Sequence, residues 1–392
     1  GIGDPDKRPP RKNPAWTGIE HNDFGIDEFI VFCREIDTEP YVVVNSGQGG
    51  LDMALAELEY VNGAADTPMG KQRAANGHAE PYNVKWWGIG NEMYGNWQLG
   101  HMPLEDYVKK HNAFAEAMRK ADPSIEIIAV GATGKWSETM LAECADHMDM
   151  LSEHFYVQER EDVVDHVRQV QNVIRKKVAA HRHYHETLPS LAEKEIPICL
   201  DEWNYWYGEH LYGELGVRYY LKDALGVALA LHEYFRASDV IQMANYAQTV
   251  NVIGAIKTSK TAAGFATTGL ALKMYRKHFG TIPIAVEGAP EPVDIVAAWT
   301  DDRNAITVGV MNPTDTARML RVEIDGATPA GSGRQWLLRH SEEGPQDAGG
   351  PDPMAYNNPG EPPQVKIVEA ELEGTTLGVP AYSVGIFRCE VK

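Results

Sequence analysis

Two glutamates, Glu92 and Glu202, are the residues of this chain best placed by type and spacing to do chemistry. Glu92 follows the apolar run 85–91 (KWWGIGN), and Glu202 ends the run 196–202 (IPICLDE). Two carboxyl groups delivered from separate strand ends can split a glycosidic bond, one protonating the leaving oxygen while the other traps the sugar carbon. The retaining form of that reaction needs the two groups about 5 Å apart across one bowl. A lone strand-end glutamate reads best as a polar residue opening a loop. Two of them, each set among Trp, Asn and Gly, read as a catalytic pair.

Delivering such a pair takes a sheet whose strand ends converge. Residues 40–45, 85–91, 125–131, 148–155, 196–202 and 240–246 read as strands, several of them continuous apolar runs of the kind buried on both faces of a parallel sheet. Amphipathic stretches at 24–36, 104–121, 137–145, 164–181, 215–235 and 262–278 read as the helices between them. Pro103 followed by Glu105 and Asp106 marks a helix start. This alternation predicts right-handed βαβ units around a parallel sheet. Six units fit an open doubly wound sheet, or most of an eight-stranded barrel without its first two units. Polar residues at the C-terminal strand ends (Asn45, Asn91, Glu92, His154, Asp201, Glu202, Asn245) favour the barrel, and residues 45–50 (NSGQGG) lack the dinucleotide fingerprint.

The expected fold class is therefore α/β. Residues 1–281 form a (β/α)8 TIM barrel whose first two strand units are missing, and residues 282–392 form a C-terminal all-β sandwich. Short strands at 294–299, 305–311, 319–324, 335–339, 365–372 and 383–391 carry the second domain, with a Gly- and Pro-rich surface loop over 342–363. Gly1 opens a loop-like stretch without signal-peptide architecture, and the natural N-terminus is expected upstream.

A formal charge of −20 repels phosphate backbones and anionic lipid, so neither nucleic acid nor a membrane is an expected partner. Neutral ligands such as sugars are indifferent to that field. Cys33, Cys144, Cys199 and Cys389 are too scattered to form a metal site and suit a reducing cytoplasm, which is favoured over export. Residues 181–185 (HRHYH) read as a solvated helix end rather than a ligand cluster, and no metal or cofactor is expected.

The motifs around the two glutamates resemble those of glycoside hydrolase family 51, the α-L-arabinofuranosidases. Residues 87–93 (WGIGNEM) with Trp97, Gln98, Gly100 and His101 resemble its acid/base segment, and Asp201-Glu202-Trp203-Asn204 with Trp206 and Tyr207 its nucleophile segment. Residues 152–156 (SEHFY), 243–248 (MANYAQ), 22–25 (NDFG) and 379–384 (VPAYSV) extend the likeness over essentially the whole chain. The resemblance implies Glu92 as general acid/base and Glu202 as nucleophile. It implies Asn91 on the sugar 2-hydroxyl, His154 and Tyr156 orienting Glu202, and Trp206 and Gln248 lining the sugar site. Trp86, Trp87 and Trp203 read as packing. Glu92 should start protonated, above Glu202 in pKa, and lose its proton affinity once Glu202 is esterified.

The implied activity is exo-acting release of arabinose from arabinose-containing polysaccharide or oligosaccharide. The family also includes endo-β-1,4-glucanases and xylanases, and the residues do not decide between these. A non-catalytic carbohydrate-binding protein is disfavoured by the presence of both carboxylates. A homo-oligomer is consistent with the family, with no surface singled out.

Overall fold

The computed structural model describes residues 1–16, 18–211, 215–341 and 351–392. Six strands, β1 (Tyr41–Val44), β2 (Trp86–Ile89), β3 (Glu126–Ala129), β4 (Met150–Val157), β5 (Ile198–Tyr205) and β6 (Ile241–Tyr246), lie in chain order in one sheet. Pairing is parallel from β1 through β4. Helices α1 (Ile26–Glu35), α2 (Leu51–Asn62), α3 (Pro68–Ala75), α4 (Leu104–Ala121), α5 (Lys135–Cys144), α6 (Val163–Thr187), α7 (Leu221–Arg236) and α8 (Thr267–His278) alternate with them. This is the (β/α)8-barrel pattern over six of its units. The chain forms two compact units, Gly1–His154 with Ala179–Leu200, and Phe155–Val178 with Asp201–Lys392.

In the first unit, β2 buries Trp87 and Ile89 among Val42, Val44, Leu58, Phe114 and Ile127. Helix α4 spans the residues its sequence predicts. Glu105 and Asp106 in its first turn and Arg119 and Lys120 in its last complement the helix dipole. Helices α2 and α3 are not anticipated by the sequence. The first begins at Leu51 after Gly50, which supplies no side-chain cap, so its start lacks the usual capping signal. The turn after α3 is held by the buried Arg73, whose guanidinium donates to the carbonyls of Tyr60, His78 and Ala79.

The segment 181–185 is only in part the solvated face expected: Arg182 and His183 are exposed, but His181 and Tyr184 turn inward. His181 is fully buried, its Nε2 3.2 Å from Glu153 Oε1, and the carboxylate also accepts from Ser137 Oγ and from Thr133 N and Oγ1. Tyr184 is buried as well, and its hydroxyl accepts from Gly134 N. Sequence periodicity ends the helix at residue 181, whereas α6 runs on to Thr187 and takes this segment back into the core.

In the second unit, strands Ile282–Ile284, Asp294–Trp299, Ala305–Asn312, Ser383–Val391, Pro329–His340 and Val365–Glu373 form one antiparallel sheet in that spatial order. Arg318–Arg321 pairs separately with Thr376–Val379. Val308, Val310, Leu377, Val379 and Phe387 make the core of this sandwich. Strand Ala305–Asn312 is buried along its whole length because α7 and α8 cover its other face. At Gly309 a Cβ would lie 3.0 Å from Tyr275 Oη and 3.2 Å from His232 Nε2, so any larger residue would press on this pair. His232 is fully buried there, with Asp294 Oδ1 and Tyr275 Oη each 2.5 Å from its ring nitrogens.

Helix α7 begins at Leu221 rather than 215, because the preceding segment is held extended by Val217 N–H on Val252 O and a bridge between Tyr220 and Tyr356. Helix α8 begins at Thr267 rather than 262, since Ala263–Phe265 pairs with Ile256–Thr258. Part of the expected surface loop, 342–350, lies outside the described residues. The following stretch is not all surface. Ala355 is buried, and the carbonyls of Ala355 and Pro353 accept the otherwise unpartnered N–H groups of Leu221 and Lys222.

Candidate active site

In the first unit the chain leaves β2 at Ile89 and turns through Gly90 and Asn91 into Glu92. Gly90 has φ +82°, and a Cβ there would lie 2.4 Å from Ser46 Oγ and 2.7 Å from Met93 Sδ, so only glycine fits. Glu92 also has a positive φ, 45°, held by Gly95 N–H donating to its carbonyl at 2.7 Å. Backbone strain of this kind persists where surrounding contacts over-determine it, and it clusters at functional positions.

The Glu92 carboxylate is surrounded by donors. Oε2 accepts from Trp97 Nε1 at 2.5 Å and Gln98 Nε2 at 3.1 Å, while Oε1 lies 2.9 Å from His154 Nδ1 and 3.4 Å from the Tyr94 hydroxyl. The other ring nitrogen of His154 is 3.2 Å from Ser152 Oγ. Tyr94 stands edge-on to both Trp97 and Trp136, which steadies the loop. Asn91 is exposed and lines a cavity of about 300 Å³ with Asn45, Ser46, Gly90, Met93 and Gln98.

His154 has its Nδ1 on Glu92. The Glu92 carboxyl, expected to start protonated, instead has its proton affinity lowered. Burial pushes its pKa up, but the hydrogen bonds from His154, Trp97 and Gln98 and the charge of His154 outweigh that and lower it to about 2. Trp97 and Gln98 belong to the motif around Glu92, yet nothing in their spacing marks them as its partners. Only the fold of the loop after Glu92, with Gln98 N–H on Gly95 O, turns them back onto it.

In the second unit Glu202 lies on β5, and its Oε2 accepts from the Tyr156 hydroxyl at 2.8 Å. Tyr156 stands edge-on to Trp206 with ring centroids 5.2 Å apart, and Trp206 N–H donates to Val157 O at 3.0 Å. Tyr156, Glu202 and Trp206 thus form one connected group. Side chains at i, i+2 and i+4 of a strand share a face, which puts Glu202, Asn204 and Trp206 on one side of the β5 line. Trp203, on the other side, is buried against Phe155, Tyr234 and Tyr246. Gln248 is exposed beyond the end of β6, its carbonyl accepting from Ala255 N–H at 2.9 Å. Trp87 is buried like Trp203, and the half-buried Trp86 donates from Nε1 to Glu126, so all three tryptophans pack as expected.

Two family models match the chain: the α-L-arabinofuranosidase 1 domain over residues 1–175 and the α-L-arabinofuranosidase C-terminal domain over residues 201–383. A relative from Aspergillus niger named "Probable alpha-L-arabinofuranosidase C" is 35% identical over 377 residues, covering 85% of this chain and 72% of its own. An intracellular exo-α-(1→5)-L-arabinofuranosidase from Bifidobacterium longum is 29% identical over 381 residues, covering 83% and 67%. The crystal structure of an α-L-arabinofuranosidase from Thermotoga maritima in its arabinose complex superposes with TM-score 0.88 at 32% identity, over 100% of this chain and 83% of that one. The thermostable GH51 α-L-arabinofuranosidase of Thermotoga petrophila RKU-1 gives TM-score 0.87 at 32% identity, over 100% and 84%.

Proposed function

Because the chain belongs to the α-L-arabinofuranosidases of glycoside hydrolase family 51, we propose that Glu92 and Glu202 are its working carboxylates. The enzyme is a glycoside hydrolase that releases arabinose from arabinose-containing glycans. The observation that carries the residue assignment is the contrast between their settings. Glu202 accepts from a neutral phenol, the setting of a carboxylate kept ionised to attack, whereas Glu92 is met by His154, Trp97 and Gln98, groups that carry N–H protons.

In the first step a Glu202 oxygen attacks the anomeric carbon of the arabinofuranosyl unit. The bond to the leaving oxygen breaks as that oxygen takes the proton of Glu92, giving a glycosyl ester on Glu202 and a Glu92 carboxylate. In the second step Glu92 removes a proton from water as it attacks the same carbon, and Glu202 departs as a carboxylate. Two inversions at that carbon retain its configuration. Tyr156 orients Glu202 and keeps it ionised, since a hydrogen bond to the charged form favours that form. Asn91 contacts the sugar 2-hydroxyl, Trp206 offers an apolar face with a hydrogen-bonding edge, and Gln248 lines the sugar site.

The test is turnover of an aryl α-L-arabinofuranoside by two variants. Glu202→Gln should abolish it. Glu92→Ala should lose the second step and regain it with azide, which attacks the glycosyl ester without general-base help. Azide rescue of Glu202→Gln with retained configuration would reverse the two roles.

A further inference from the structure

The loop after β6 that carries Gln248 is strained and heavily tethered. Asn251 and Val252 have φ of 52° and 45°, and for a β-branched residue such as valine that region is a genuine outlier. Such a conformation holds only where its surroundings over-determine it. Val252 O accepts from Val217 N–H and Lys257 Nζ, both at 2.8 Å, and the Asn251 side chain bonds Thr258 through both its nitrogen and its oxygen. Ile253 O accepts from the Tyr219 hydroxyl at 3.2 Å.

One side chain reaches both ends of this loop. Asn204 is buried on β5, two residues beyond Glu202, and its Nδ2 donates to Ala247 O and, at 2.8 Å, to Ile253 O. Its Oδ1 accepts from Tyr205 N–H at 2.7 Å, which fixes the amide with its NH₂ toward the loop. The carbonyl of Ala247 belongs to the peptide group that leads into Gln248. Orienting that carbonyl orients the start of Gln248 relative to the strand that carries Glu202.

We propose that Asn204 is a positioning residue, a clamp that sets Gln248 in register with the nucleophile strand. It touches no substrate and acts through Gln248, so the inference rests on the substrate role proposed for that glutamine. Asn204→Asp is the sharpest probe. It keeps the acceptor for Tyr205 N–H and the side-chain volume, and replaces the donor to two carbonyls with an oxygen that repels them.

The experiment is a double-mutant cycle in the full chain, comparing Asn204→Asp, Gln248→Ala and the double variant on an aryl α-L-arabinofuranoside. Thermal midpoints run alongside, and Tyr219→Phe serves as a milder variant that removes a hydroxyl shared between Ile253 O, at 3.2 Å, and Tyr205 O, at 2.7 Å, while leaving the Asn204 amide in place. Asn204→Asp should lower kcat/KM by about 10- to 100-fold, the scale of a small misplacement of a substrate-binding group. The same substitution should cost less than twofold once Gln248 is already alanine. Tyr219→Phe should show the same dependence on Gln248 at smaller size, which keeps the inference testable if Asn204→Asp does not fold. A full cost that persists in the double variant overturns the clamp while leaving Gln248 as a substrate contact. A silent Gln248→Ala overturns the substrate contact itself, and with it the clamp.

Discussion

Replacing Trp97 by phenylalanine should move the alkaline limb of the pH–rate profile upward. Trp97 Nε1 lies 2.5 Å from Glu92 Oε2 and is, with Gln98 and His154, one of the three groups whose hydrogen bonds depress the Glu92 pKa to about 2 against the push of burial. A hydrogen bond donated to a carboxylate stabilises the anion, so its loss raises the pKa. With burial unchanged and one of three donors gone, the rise should be about one pH unit. The free form has the Glu92 pKa held low, so glycosylation requires that the donors relax or that the proton arrive with the substrate. Glu92 must donate a proton in the first step, so the alkaline limb of kcat reports the pKa of this acid in the enzyme–substrate complex. Phenylalanine keeps an aromatic face and removes the N–H with its ring. Profiles of kcat between pH 3 and 9, on an aryl arabinofuranoside whose cleavage needs the acid, measure the shift. An alkaline limb that stays put or moves down in Trp97→Phe would refute the reasoning, because the indole would then not be holding the carboxylate.

Tyr156→Phe removes the phenol on Glu202 and should lower kcat about 10- to 100-fold, the range expected for a hydrogen bond to a charged group of about 1.5–3 kcal/mol. Steady-state kinetics with an unchanged kcat would contradict it. Gly90→Ala places a Cβ against Ser46 Oγ and Met93 Sδ at a positive φ and should destabilise the first unit by about 2–3 kcal/mol, read as a lower urea midpoint. Glu28, paired with Arg8 at 2.8 Å, has its pKa lowered to about 2, chiefly by the Arg8 hydrogen bond. A depressed carboxylate pKa gives stability that is present above the unfolded value near 4.5 and lost as pH falls toward 2. Glu28→Gln should therefore cost about 1–2 kcal/mol at pH 7, after allowance for solvent screening, and nearly nothing at pH 2, by urea titration at both.

The strands and most helices are legible in the sequence because continuous apolar runs and 3.6-residue periodicity are local signals. Helix α4 shows this well, with Pro103 before it and acids in its first turn. The place of Glu92 just past a strand is local in the same sense, whereas β5 does not end at Glu202 as its apolar run suggests but continues to Tyr205. Partnership is not local. Alternation along β4 puts His154 and Tyr156 on one face, and it leaves open which carboxylate each meets; the structure gives the phenol to Glu202 and the imidazole Nδ1 to Glu92. The donors Trp97 and Gln98 become visible only once the loop after Glu92 has folded back. His181 looks solvated in a run of His and Arg, and is buried because its partner Glu153 lies 28 residues earlier on another element. The strain at Val252 has no sequence signal either, since a β-branched residue is the last expected at positive φ.

Double displacement at this site requires Glu202 to become covalently bonded to the sugar. Peptide mapping by mass spectrometry, on enzyme quenched during turnover of a slow fluorinated arabinofuranosyl substrate, tests it most directly. One glycosyl ester is expected, on the peptide containing Glu202 and on that side chain. A label on any other residue would contradict it.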